Sequence, residues 1–78
     1  MNMETLRLIN FIDKLLNHAE RMKNRVIAET MMNQAYGAMI FYVEVLLNEN
    51  NLEDVRYLGE LWDTEYNQKF WDAIREGE

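Results

Sequence analysis

The sequence predicts a small all-α protein: a three-helix bundle folded as a single helical domain over residues 1–78. Three observations carry that expectation. Apolar residues recur at helical spacing through most of the chain. Proline is absent and only 3 glycines occur, which favours long helices with few tight turns. One polar, asparagine-rich break, Asn48-Glu49-Asn50-Asn51, separates a strongly apolar stretch from an amphipathic one.

The first helix is read from about Glu4 to Met22. Leu8, Ile9, Ile12, Leu15, Leu16 and Ala19 fall on one face, with Phe11 and Met22 at its edge. Arg7, Asn10, Asp13, Lys14, Asn17 and Arg21 fall on the other, the pattern of an amphipathic helix laid on a core. Thr5 is the expected N-cap.

The second helix organises the rest. At about 100° per residue, Ala28, Met32, Ala35, Tyr36, Met39, Val43, Leu46 and Leu47 form one apolar stripe. Ile27, Met31, Ala38, Phe41, Tyr42 and Val45 add apolar surface outside it. A helix that apolar needs neighbours on more than one side. If residues 6–47 formed one helix, the two stripes would sit about 140–160° apart. A break is therefore expected around Glu20 to Arg25, with Asn24 as its left-handed or capping residue. The alternative is one long helix whose halves face different partners, completing the bundle as an intertwined homodimer.

The second turn falls at residues 48–51. The third helix then starts near Leu52, with Asn51 as N-cap and Glu53 and Asp54 in its first turn, where acids suit the helix dipole. Val55, Leu58, Trp62, Tyr66, Phe70, Ala73 and Ile74 continue one stripe to about Arg75. Gly59 and the Asp63-Thr64 pair are weak points, where Asp63 could recap a new helix after a kink. Glu65, Lys69, Asp72 and Arg75 read as a solvated ion-pair ladder. The hairpin of helices 2 and 3, joined by the N-terminal helix, is the expected architecture.

The formal charge of −6 is unevenly placed: +2 over residues 1–25, −3 over 26–51 and −5 over 52–78. Such a balance disfavours nucleic acid as partner and suits a basic protein. Cysteine is absent, so no disulfide or thiolate chemistry is available. No secretory signal is read in residues 1–16. The longest apolar run, Ala38 to Val43, is far short of the ~20 residues of a membrane span. A cytoplasmic protein is the default expectation.

Enzyme signatures are missing: no Gly-rich phosphate loop, no HExxH, no nucleophile elbow. His18 is the only histidine, and no Glu-x-x-His pair exists for a di-iron bundle site. The acids of helix 3 are spread along it and interleaved with Arg56, Lys69 and Arg75, which reads as a solvated face rather than a cation site. No cofactor or metal is expected.

Three surfaces remain as candidates. Phe41, Tyr57, Leu61 and Trp71 are large apolar residues off the core stripes, the types that anchor protein interfaces. Glu60, Asp63, Glu65 and Asp72 could face a basic partner. Lys14, His18, Arg21, Lys23 and Arg25 form a small basic patch, weak for direct nucleic-acid binding because no recognition helix is basic. In composition alone, the chain resembles small acidic helical accessory proteins of bacteria, phages and mobile elements. The leading expectation is a non-enzymatic protein-binding module that dimerises. An acidic inhibitor or decoy for a nucleic-acid-binding protein comes second, and a weak nucleic-acid binder using residues 14–25 third.

Overall fold

In the computed structural model, which describes residues 1–46 and 51–78, the first helix opens on Asn2 rather than Thr5. The Asn2 Oδ1 accepts the Thr5 backbone N–H at 2.8 Å. Thr5 is thus the third residue of the helix, not its cap. The carboxamide of Asn2 satisfies an amide that has no partner within the helix. Helix α1 runs Met3–Met22 and buries Leu8, Ile12, Leu16 and Ala19.

The expected break between the first two helices forms. Lys23 adopts the left-handed conformation (φ 47°, ψ 50°) and ends α1. Asn24 is extended (φ −137°) and caps α2, Arg25–Phe41, by accepting the Ile27 N–H at 3.1 Å. Asn24 therefore takes the capping role and Lys23 the left-handed one. The two helices are separate and pack on each other, so one continuous helix through residues 6–47 does not form.

A π-helical turn, Tyr42–Leu46, continues α2. Ala28, Ala35 and Met39 are buried as the stripe requires, but Tyr36 is half-exposed and Tyr42 is buried instead. Phase explains the exchange. Tyr42 stands seven residues after Ala35, only about 20° from it, whereas Tyr36 is turned about 100° away. The Leu46 side chain, Leu47 and the Asn48 to Asn50 part of the expected turn lie outside the described residues.

The third helix consists of α3, Leu52–Leu61, a π-helical turn, Trp62–Tyr66, and α4, Asn67–Glu76. Asn51 occupies the N-cap position. The stripe runs on as one helix to its end; Asp63 does not recap it, and the helix passes through that residue. Its buried positions recur every four residues: Asp54, Leu58, Trp62, Tyr66, Phe70 and Ile74. At 3.6 residues per turn that spacing drifts about 40° per step, or about 200° over the run. The wider π turn in the middle takes up part of the drift. Thr64, inside it, donates its hydroxyl to the Glu60 carbonyl at 2.7 Å.

α2 packs on α1 and α4, and α1 on α4, giving the three-helix bundle. Ala19, Ala28 and Ala35 are fully buried, so these backbones approach closely where the helices cross. At that end of the bundle, a Cβ on Gly77 would stand 2.4 Å from the Arg25 nitrogen. Phe70, Ile12, Leu58 and Ile74 supply the largest fully buried apolar groups.

Candidate protein-binding surface

The outer face of α2 is the least conventional surface of the bundle. Opposite buried Ala28, Ala35 and Met39 stand exposed Thr30, Asn33, Gln34, Gly37, Ile40 and Phe41. No residue from Thr30 to Val43 is charged. Phe41 is 56 % exposed because it precedes buried Tyr42 by one residue, about 100° away. Gly37 lies mid-face, with nothing within 4 Å of the place a Cβ would take.

Tyr36 borders this face. Its ring lies 5.2 Å from the Trp62 ring, tilted by 57°. Trp62 in turn stacks on Phe70 at 5.9 Å and meets Tyr66 at 6.2 Å. The half-exposed Tyr36 thus covers an otherwise buried aromatic column.

Phe41, Tyr57, Leu61 and Trp71 lie on two helices and on different flanks of their buried stripes. On the third helix, Tyr57 and Leu61 each precede a buried residue, Leu58 and Trp62, while Trp71 follows buried Phe70. The first two therefore flank one side of the buried stripe and Trp71 the other. Leu61 is half-buried against the core, whereas Trp71 is 44 % exposed and Tyr57 similarly so. Phe41 belongs to α2.

Glu60, Asp63, Glu65 and Asp72 are all exposed. Asp72 is engaged: its Oδ1 accepts from Gln68 at 2.9 Å and from Arg75. Gln68 first, then Arg75, hold the Asp72 carboxyl below its usual range. Of the expected ion-pair ladder only the Asp72–Arg75 rung forms; Glu65 and Lys69 make no ion pair with each other.

The basic patch divides. Lys14, His18 and Arg21 share one side of α1 and border an open depression with Asn17 and Glu20. Lys23 sits in the left-handed turn. Arg25 belongs to α2, where it pairs with Glu29 at 2.9 Å and lies 3.6 Å from Glu78. The Glu29 hydrogen bond, then its charge, raises the Arg25 pKa.

One polar cluster was not legible in the pattern. Thr5 is fully buried and donates its hydroxyl to Asp54 Oδ2 at 2.7 Å. The Tyr42 hydroxyl lies 2.7 Å from Thr5 Oγ1 and donates to Asn2 Oδ1 at 3.0 Å. The Asn2 backbone N–H donates to the same Asp54 oxygen at 3.1 Å. Thr5 first, then Asn2, lower the Asp54 pKa. This clasp ties the starts of α1 and α3 to the end of α2. The only signal was positional: Thr5 and Asp54 fall three and four residues before buried Leu8 and Leu58.

Elsewhere the Tyr66 hydroxyl donates to Asp13 at 2.6 Å, linking the third helix to α1. Among the described residues, no group of three or more His, Cys, Asp or Glu converges as metal ligands would. No described helix is long and apolar enough to cross a membrane. Comparison with known proteins gives no match to a family model, to a curated protein or to a solved structure.

Proposed function

We propose that this chain is a non-enzymatic protein-binding module of the cytoplasm that works as a homodimer of closed bundles. The supporting observation is the exposed, uncharged outer face of α2, with Ile40 and Phe41 unpartnered within the bundle. Large apolar side chains on a neutral, solvent-facing helix are unfavourable in isolation and suit burial against another protein. The test is solution mass by light scattering across a concentration series at low and high salt. Twice the 9.4 kDa chain mass is expected, little affected by salt. A monomer at every concentration overturns the homodimer.

A second reading rests on Glu60, Asp63 and Glu65, which are exposed and form no ion pair among the described residues. Such a face suits an acidic inhibitor or decoy that occupies the basic groove of a nucleic-acid-binding protein. It predicts salt-sensitive binding to a basic protein of that kind. Joint neutralisation of Glu60, Asp63, Glu65 and Asp72 should abolish it, and unchanged binding overturns the reading.

A further inference from the structure

We infer, resting on the homodimer reading, that two copies of this chain meet through the outer faces of their α2 helices, crossing antiparallel at Gly37. The argument begins with charge. In a two-fold contact each face meets a copy of itself, so a charge on it is set near its own kind. The outer face of α1 carries Arg7, Asp13, Lys14 and Arg21, and the third helix carries Glu60, Asp63 and Glu65 interleaved with Arg56, Lys69 and Arg75. α2, uncharged from Thr30 to Val43, can lie against its copy with no charge to match, whereas the other two helices present charges that a self-contact would have to pair.

Direction follows from Glu44, the exposed acid at the end of that face. A parallel crossing would place Glu44 beside Glu44. An antiparallel crossing at Gly37 places Glu44 of one copy beside Thr30 of the other. The two carboxylates then stand about 20 Å apart, at 1.5 Å of rise per residue.

Gly37 marks the crossing for a steric reason. A glycine inside a helix is less favourable there than alanine. Among the described residues, nothing beyond its own helix backbone and chain neighbours comes within 4 Å of its missing Cβ, so packing among them does not require a glycine there. Two helices that cross at a glycine approach closely, which lets the flanking Ile40 and Phe41 side chains reach the partner backbone.

Cross-linking tests both face and direction, because the native chain contains no cysteine. Under mild oxidation, Gly37→Cys alone should form a covalent dimer, since residue 37 meets itself at the axis. Thr30→Cys and Glu44→Cys should cross-link efficiently only when mixed. In parallel, Phe41→Glu and Gly37→Glu should reduce the light-scattering mass to that of one chain, with helical circular dichroism retained. Trp71→Glu and Gly59→Glu should remain dimeric. A dimer that persists in both α2 variants, or a Gly37→Cys chain that does not cross-link, overturns this interface and leaves the homodimer standing. A monomeric wild type overturns both.

Discussion

The Thr5 hydroxyl and the Asp54 carboxylate, 49 positions apart in the chain, meet at 2.7 Å in the interior. With Tyr42 and Asn2 they form a contact shared by all three helices at one end of the bundle. The buried hydroxyl has no water to replace its partners, so the clasp specifies how the helix ends align.

Thr5→Val removes the central hydroxyl while nearly keeping its shape. It should destabilise the fold by about 1–3 kcal/mol, because Asp54 and Tyr42 each lose a buried partner. For a domain of this size that is a large share of the total. Urea unfolding checks it through a lower midpoint, and Thr5→Ser should recover most of the loss.

Asp54 makes the clasp sensitive to acid. Its carboxyl is held below its ordinary value of 3.8, by Thr5 and then by the Asn2 backbone. The folded state therefore favours the ionised form. That contribution is complete above the ordinary value and drains away as pH falls through the lower folded one. Stability measured against pH should decline below about pH 4, and Asp54→Asn should flatten the decline. Asp72, also held low, leaves a residual slope in that variant.

Tyr66 acts at the opposite extreme. Burial, then its hydrogen bond to Asp13, pushes the phenol well above its ordinary value of 10.0. The folded state thus disfavours the phenolate. Its contribution is complete below the ordinary value and is lost as pH rises beyond it. Alkaline unfolding followed by circular dichroism should shift to higher pH in Tyr66→Phe, with lower stability at neutral pH from the lost hydrogen bond to Asp13.

The glycines separate by sign. Gly59→Ala adds a Cβ into open space within α3 and should stabilise by about 0.5–1 kcal/mol. Gly77→Ala should instead destabilise, by about 1 kcal/mol, because its Cβ would run into the backbone of Asn24 and Arg25. Thermal midpoints of the two variants should move in opposite directions.

Much of the fold was legible because burial tracks helical phase. Leu8, Ile12, Leu16 and Ala19, and then Leu58 through Ile74, are buried where spacing placed them. The break at Lys23-Asn24 was legible as a change of stripe. Tyr42 was misread because the α2 stripe was centred too close to Tyr36, one residue past buried Ala35. The π turn at Trp62 was written in a repeat of four, a spacing no straight α-helix sustains; the sequence marked Asp63-Thr64 as a weak point there, in the form of a kink rather than a wider turn. Thr5 and Asp54 escaped because polar residues on a core stripe look like its ends until their partners, 49 residues away, are known. The surface candidates depended on which flank of a stripe each residue takes. Tyr57 stands one residue before a buried position and Trp71 one residue after, and grouping by residue type ignores that offset.

The unequal placement of the two tryptophans gives the chain a two-channel optical signal. Trp62, 7 % exposed and stacked on Phe70, emits from a dry aromatic environment that exists only when the third helix is docked. Trp71, on the outside of α4, is open to a dissolved quencher. Emission that acrylamide cannot reach therefore follows assembly of the interior. The quenchable fraction follows whatever comes to rest on the flank of α4, so folding and docking there can be read from one unlabelled sample.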